Sequence, residues 1–289
     1  MRKLEYIIPE EFDGERVQNF LRGRVCISLR LLRSLKRVEN GIELNGEHVR
    51  TVDILHTGDM LTLNIPEEEG AQAASGIKLN VVYEDDDLLI VNKPPMLPVH
   101  ESHNHQGDTL ANAVSAYLKE KGKSSVFRAI GRLDMGTSGL VVCALNQYCA
   151  SRLSGSIEKE YLAIATGEYT GTGTIDAPIY RPDPLKTTRC VDERGDRAVT
   201  HYESLKSGNG MSLLRIRLET GRTHQIRVHF ASLGTPLVGD YLYGTVTDEF
   251  NHQCLHCHKV SFIHPVTQQQ IECEGAMPET MSRFAEEHI

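Results

Sequence analysis

The stretch Ala-Ile-Gly-Arg-Leu-Asp-Met-Gly-Thr-Ser-Gly-Leu-Val-Val, residues 129–142, is the most informative part of the chain. A lone carboxylate, Asp134, lies between Arg132 and a short segment rich in glycine, threonine and serine. Because an apolar run follows at once, the pattern predicts a tight turn that leads into a buried strand and holds Asp134 at a fixed point. A placed carboxylate beside an arginine suits chemistry on a polyanion, and a surface turn with an Arg-Asp pair is the simpler interpretation.

The 289-residue chain has the apolar and charged composition of an ordinary globular protein, and its length fits one large and one small domain. No apolar run in the sequence approaches the roughly 18–20 residues of a membrane span, and the N-terminal residues lack the apolar core of a signal peptide. The seven cysteines are scattered and odd in number, which indicates reduced thiols. We therefore expect a cytoplasmic protein.

Positive charge is concentrated in residues 16–37, although the net charge of the chain is −8. Apolar residues recur there at spacings of three and four, which predicts two short helices, each with one apolar stripe and one basic face. Asn-Gly pairs within residues 40–49 then predict tight turns and short strands. The segment from 16 to 37 contains no acidic residue, and its basic residues are Arg16, Arg22, Arg24, Arg30, Arg33, Lys36 and Arg37.

Residues 67–76 are acidic and rich in glycine and alanine, and they show no periodicity. We predict that they link a small domain, residues 1–66, to a large domain, residues 77–289, with a variable orientation between the two. In the large domain, helical spacing predicts a helix at 108–121, and alternation predicts a half-buried strand at 211–219. Since helices and strands follow each other without a regular order, we predict an α+β fold with a mixed or antiparallel central sheet and flanking helices.

Arg132-Leu133-Asp134, followed by Thr137-Ser138-Gly139-Leu140, resembles the signature of the RluA-type pseudouridine synthases. Further segments resemble the same family in the same order, so that the resemblance spans nearly the whole chain. The N-terminal order of two helices and short strands is similar to an S4 RNA-binding domain, over about residues 12–66, and implies a small α/β domain. The further segments are residues 91–100, 158–163, 220–229 and 236–244.

The resemblance implies an enzyme that isomerises uridine to pseudouridine in structured RNA, without a cofactor because nothing is consumed. Asp134 would either attack C1′ of the ribose or remove a proton from C2′, and Tyr161 would stack on the uracil and move a proton. Arg222, in a strand-to-helix loop, would pair with Asp134 and favour its ionised form. Arg132 would fill the gap that the uridine leaves in its stack. One departure from the family is Gly131, where histidine is usual.

The seven basic residues of the N-terminal segment repel one another, and a phosphate backbone is a suitable counterion. We therefore expect them to bind RNA, although a basic face that only contacts solvent is the simpler alternative. An S4 domain accompanies this catalytic domain more often in the ribosomal RNA modifiers of the family than in its tRNA modifiers. We expect large-subunit ribosomal RNA as the partner, with tRNA as the alternative, no membrane, and a monomeric enzyme.

Two other classes of function were weighed against this one. An RNA-binding or assembly factor without catalysis would have no need of Asp134, Tyr161 and Arg222 together. A glycoside hydrolase usually needs two facing carboxylates, and only Asp134 has supporting residues around it. The segment His-Gln-Cys-Leu-His-Cys-His, residues 252–258, is similar to a zinc cluster, but its spacings fit no common structural zinc site. We therefore predict no metal.

Overall fold

The computed structural model describes residues 1–67, 76–123 and 126–289. The N-terminal part forms a four-stranded antiparallel sheet in the order β1-β4-β2-β3, which carries two short helices. The two helices predicted within residues 16–37 are therefore confirmed, whereas most of the predicted linker lies outside the described residues. The elements are β1 (Arg2–Ile7), α1 (Val17–Gly23), α2 (Leu29–Leu35), β2 (Ile42–Leu44), β3 (Glu47–His48) and β4 (Met60–Ile65).

The two helices are held to their sheet by short apolar stripes. In α1, Phe20 and Leu21 are buried, and in α2, Leu32 and Leu35 are buried. Ser28 starts α2, since its side chain accepts a hydrogen bond from the backbone of the helix's first turn. Because these stripes occupy the inner faces, the arginines between them are left on the outer faces.

The large domain is built on a nine-stranded sheet in the order β5-β6-β7-β14-β8-β13-β12-β9, with β15 paired to β14. Within the described strands, β7 and β14 run parallel and the other pairs are antiparallel, so the predicted mixed sheet of an α+β fold is confirmed. The elements are β5 (Val81–Glu84), β6 (Leu88–Lys93), α3 (Leu110–Glu120), β7 (Ser138–Ala144), α4 (Gln147–Leu153), β8 (Glu158–Thr166), β9 (Thr172–Asp176), β10 (Ile179–Tyr180), β11 (Cys190–Val191), β12 (Val199–Gly208), β13 (Met211–Leu218), α5 (Gln225–Ser232), β14 (Leu255–Ile263), β15 (Gln270–Glu274) and α6 (Glu279–His288).

The strand order brings two distant parts of the sequence to one end of the sheet. Cys257 of β14 is the register partner of Gly139 in β7 on one side and of Tyr161 in β8 on the other. A Cβ atom on Gly139 would lie 2.4 Å from the backbone nitrogen of Cys257, so only glycine allows the strands to approach this closely. Tyr161 therefore lies beside the turn that precedes β7 and carries Asp134.

A partly buried ion pair joins the N-terminal sheet to the nine-stranded sheet. The guanidinium of Arg2 in β1 donates two hydrogen bonds, of 2.8 and 2.7 Å, to the carboxylate of Asp87. Asp87 is only 2% exposed, and it also accepts a 2.7 Å hydrogen bond from Asn146. These hydrogen bonds connect β1 to the residue that precedes β6.

Two further observations concern the helices and the cysteines. None of the helices in the described part of the chain combines the length and the apolar character that crossing a bilayer requires. All seven cysteines are free thiols, and most of them are buried, as reduced cysteines in a core usually are.

We expect Arg2→Met to lower the free energy of unfolding by about 3 kcal/mol, because the buried Asp87 carboxylate loses its counterion. Urea unfolding of the full chain measures the effect. The control is Arg50→Met, which removes an exposed pair with Asp53 and changes stability by less than about 1 kcal/mol. Equal losses in the two variants would contradict the role of the Arg2–Asp87 pair.

Candidate active site

Asp134 lies in the turn that leads into β7, as the sequence predicts. The turn is closed by a 3.1 Å hydrogen bond from the backbone N–H of Thr137 to the backbone carbonyl of Asp134. The Asp134 side chain is 23% exposed, and its Oδ2 accepts a 3.0 Å hydrogen bond from Nη1 of Arg227. Its Oδ1 has no hydrogen-bond partner among the described residues, which leaves one carboxylate oxygen available to a substrate.

Arg227 is fixed in place by a second carboxylate. Its Nε and Nη2 donate hydrogen bonds of 2.7 and 2.8 Å to Asp240, which is fully buried. This fork-to-fork geometry orients the guanidinium and leaves Nη1 for Asp134. Burial disfavours the charge, but Asp240 and Asp134 outweigh it and raise the pKa of Arg227 above its ordinary value. The guanidinium therefore stays charged between two carboxylates.

The expected ion pair between Arg222 and Asp134 is wrong. Arg222 does lie in the loop before α5, but its Nε donates to the backbone carbonyl of Arg197 and its Nη1 lies 3.4 Å from Asp196. The helix begins only at Gln225, so Arg222 stays in the loop with its side chain 42% exposed. Arg227 lies instead in the first turn of the helix, where it is buried and reaches Asp134.

The feature that identifies Arg227 is its burial, which only the folded structure shows. Residues 225–230 of α5 are all buried, so the helix has no exposed face in its first two turns. A charged side chain inside such a helix needs a buried partner of opposite charge. The partner comes from residues 236–244, a segment whose turn-rich pattern revealed nothing beyond the family resemblance.

Tyr161 and Asp134 line the same small cavity, of about 70 Å³, and Arg132 and Arg222 line it too. Tyr161 is 7% exposed. Burial, and after it the neighbouring Cys257 and Asp134, raise the pKa of Tyr161 well above its ordinary value, so that the hydroxyl stays protonated. The cavity adjoins a groove of about 1040 Å³, which Arg132 and Tyr161 also line. The predicted site residues thus converge on one cleft.

Lys93 is a part of the site that the sequence did not reveal. It ends β6 with 1% of its surface exposed, and its Nζ donates to the backbone carbonyls of Pro94, Leu97 and Met135 at 2.9–3.0 Å. Burial lowers the pKa of Lys93 to about 7, while the charge of Asp134 opposes this change. Since Met135 directly follows Asp134, Lys93 ties the proline-rich loop after β6 to the catalytic turn.

His224 and two tyrosines surround the Asp134–Arg227 pair. Nε2 of His224 lies 3.7 Å from Oδ2 of Asp134, and Nδ1 lies 2.8 Å from the hydroxyl of Tyr243. The rings of Tyr241 and Tyr243 lie 5.7 and 5.2 Å from the guanidinium carbon of Arg227. Burial lowers the pKa of His224, and Asp134 opposes this change.

The cysteine- and histidine-rich segment 252–258 is used for structure. His256 lies 2.9 Å from the hydroxyl of Ser138 and 3.1 Å from the carbonyl of Gly275, so both ring nitrogens contact polar protein atoms. Within the described residues, one group could present three ligand atoms to a metal ion, namely Asp85, Asp87 and His264. The Asp87 carboxylate is already bound by Arg2 and Asn146, and a cation would have to displace these donors.

Residues 87–232 match the model of the RNA pseudouridylate synthase family. A Bacillus subtilis protein named as an uncharacterized RNA pseudouridine synthase, YjbO, is 36% identical, and the alignment covers 91% of this chain and 95% of that protein. Ribosomal large subunit pseudouridine synthase D of Pseudomonas aeruginosa is 33% identical, with 94% and 91% covered. This chain belongs to the RluA family of pseudouridine synthases. It is an enzyme that isomerises uridine to pseudouridine in RNA.

A solved structure shares the fold. Human RNA pseudouridylate synthase domain containing 1 is 28% identical, with a TM-score of 0.58 over 69% of this chain and 83% of that chain. The shared part is large enough to contain most of the large domain, where Asp134, Tyr161 and Arg227 lie. The α+β fold and the family membership therefore agree.

We expect Arg227→Lys to slow the isomerisation by about 100-fold, because an ammonium cannot hold Asp134 and Asp240 in the same orientation. Arg222→Ala should slow it by less than about tenfold, since Arg222 does not contact Asp134. Release of tritium from RNA that contains 5-tritiated uridine measures both rates, and circular dichroism shows whether each variant is folded. A loss for Arg222→Ala as large as that for folded Arg227→Lys would contradict this assignment.

Proposed function

We propose that this enzyme modifies uridines of large-subunit ribosomal RNA, with Asp134 acting on the ribose of a uridine that has left its stack. The observation that carries the proposal is the chain of buried contacts from Asp240 through Arg227 to Asp134. These contacts end at the Asp134 carboxylate, whose Oδ1 has no hydrogen-bond partner among the described residues. A carboxylate held through one oxygen keeps the other in a constant position, which suits a reaction at a single carbon.

Asp134 serves in one of two ways, as a nucleophile at C1′ or as a base at C2′. Both atoms belong to the same ribose and are one bond apart, so one position of the carboxylate suits either step. Arg227 orients the carboxylate and balances its charge in both cases. The glycosidic bond breaks, the uracil turns over, and C5 then joins the ribose.

We assign to Tyr161 the role of contacting the uracil of the target nucleotide. Its ring is buried beside Asp134 at the junction of the cavity and the groove, where a flipped uracil can stack on it. Since burial raises the pKa of Tyr161, a neutral phenol meets the uracil. The phenol can relay a proton after the new bond has formed, because its oxygen can accept the proton that C5 loses while its own proton passes to solvent. N1 of the uracil takes up a proton from solvent in exchange.

We expect Asp134→Asn to lower turnover by at least about 1,000-fold while RNA affinity changes by less than about threefold, because the amide keeps the shape but loses the reactive oxygen. Tritium release measures turnover, and filter binding measures affinity. The control is Asp248→Asn, a change at an exposed carboxylate, which keeps full activity. Turnover by Asp134→Asn within tenfold of wild type would rule out the proposed role.

The choice of ribosomal RNA rests on the relatives and on the N-terminal domain. Relatives in several bacteria, including Pseudomonas aeruginosa and Haemophilus ducreyi, are named ribosomal large subunit pseudouridine synthase D. Carbodiimide mapping of RNA from cells with and without the gene identifies the modified positions. If cells without the gene lack pseudouridine sites in tRNA only, tRNA replaces ribosomal RNA as the proposed substrate.

The small domain offers a surface that suits RNA. Its seven basic side chains between residues 16 and 37 are all exposed, and within the described part of the chain none of them pairs with a carboxylate. Uncompensated positive charge on one face attracts a phosphate backbone and releases its counterions. We therefore propose that this S4-like face, together with Arg132 at the mouth of the cleft, holds the RNA.

We expect the double variant Arg30→Gln/Arg33→Gln to weaken RNA binding and to lower the slope of log affinity against log salt concentration by about 1–2, because two phosphate contacts are lost. Fluorescence anisotropy with labelled RNA, measured across a range of potassium chloride concentrations, gives the slope. Lys206→Gln/Arg283→Gln, which removes two exposed charges elsewhere, is the control and keeps the wild-type slope. Equal slopes for wild type and the Arg30/Arg33 variant would exclude this surface.

A further inference from the structure

Lys159 lies in the groove beside the active site and has no assigned role. It precedes Tyr161 by two residues in β8, so both side chains lie on the same face of the strand. Gly131, Arg132 and Tyr161 line the groove together with Lys159. The Lys159 side chain is partly buried, which places its charge at the entrance to the cleft.

Gly131 makes room for the Lys159 ammonium. The backbone of Gly131 is in the left-handed region, with φ of +77°, and a Cβ atom there would lie 3.0 Å from Nζ of Lys159. A side chain at residue 131 would strain the backbone and would require the Lys159 ammonium to move from its present position. The absence of a side chain before Arg132, at the position where the family usually has histidine, lets Lys159 bring its charge next to Arg132.

The ammonium of Lys159 lacks an anion in the protein. Among the described residues, it has neither an ion pair nor a hydrogen bond, in contrast to Lys93 with its three carbonyl acceptors. The nearby buried groups are the thiols of Cys143 and Cys257, whose pKa values burial raises and Lys159 lowers. Both pKa values stay above their ordinary value, so neither thiol supplies a negative charge near neutral pH.

Four acidic residues line the same groove, and three of them are already bound by other cations. The fourth, Glu158, is exposed and forms no ion pair with Lys159 among the described residues. Glu160 pairs with Arg217 at 2.7 Å, and Glu219 pairs with Arg197 at 2.8 Å. Glu272 pairs with Lys259 at 3.0 Å. The Lys159 ammonium stays partly accessible to solvent and has no counterion among the described residues, so it is available to bind an anion. The substrate of this enzyme carries one phosphate for every nucleotide.

We propose that Lys159 binds a backbone phosphate next to the target uridine and thereby positions the flipped nucleotide over Asp134. Lysine suits this role because it binds phosphate as a point charge and needs no fixed fork geometry. Arg132 lies beside Lys159 at the same entrance. The two cations therefore bind the RNA backbone while the uracil enters the cavity towards Tyr161. The assignment uses the family's RNA substrate and does not depend on how Asp134 reacts.

The test compares Lys159→Met, which keeps the length of the side chain without its charge, with Lys159→Arg. The probe is a fluorescent oligouridylate of about 20 nucleotides, which offers uridines and phosphates whichever RNA the cell supplies. For Lys159→Met we expect affinity to fall about tenfold and the salt slope to fall by about 0.7, the loss of one phosphate contact on a single strand. Lys159→Arg should restore both values.

Two further measurements separate this role from a structural one and from the chemistry. Lys186→Met, a change at an exposed lysine that pairs with Asp183, is the matched control and should leave affinity and salt slope unchanged. Asp134→Asn should bind the oligouridylate as wild type does, so a failure of the proposed catalytic role does not alter the binding result. If Lys159→Met binds with wild-type affinity and slope, Lys159 only fills space beside Gly131 and the proposal is overturned.

Discussion

The active site depends on one buried guanidinium shared between two carboxylates. Arg227 is 2% exposed, and burying a charge of this kind is strongly unfavourable without partners of opposite charge. Asp240 satisfies one edge of the guanidinium completely and Asp134 takes the remaining N–H, so the position of Asp134 follows from the fold. Loss of the Arg227–Asp240 pair would leave an uncompensated charge in the core. It would also remove the contact that fixes the Asp134 carboxylate at the cleft.

The three residues of this ion-pair network come from distant parts of the sequence, and the central sheet brings them together. Asp134 precedes β7, Arg227 lies in the first turn of α5, and Asp240 lies in the segment between α5 and β14. Because β7 and β14 are neighbours and β8 is next to β14, the same arrangement also delivers Tyr161. The site is therefore a property of the whole large domain, and the close approach at Gly139 is one of the contacts that permits it.

Local patterns in the sequence predicted the parts of the fold that depend on local physics. The helix with its capping box at Thr109, the half-buried strand β13 and the turn around Asp134 were all predictable from periodicity and turn chemistry. The partner of Asp134 was not, because the choice between Arg222 and Arg227 depends on where α5 begins and on a carboxylate more than ten residues later. Lys93 was missed for the same reason, since its acceptors are backbone carbonyls that only the folded chain assembles.

The net charge of −8 argues against a polyanionic partner, although the substrate of this enzyme is RNA. The distribution of charge in the structure explains this difference. Three of the four acidic residues in the groove, Glu160, Glu219 and Glu272, are paired with arginine or lysine, so most of the negative charge there is cancelled where RNA must pass. Within the described residues, by contrast, positive charge on the outer faces of α1 and α2 and at the entrance to the cleft has no carboxylate partner. A polyanion responds to this local field over about 8 Å, the screening length at physiological salt, and not to the sum over the chain. An acidic protein can therefore present a surface that attracts RNA, provided that its carboxylates are paired or lie elsewhere.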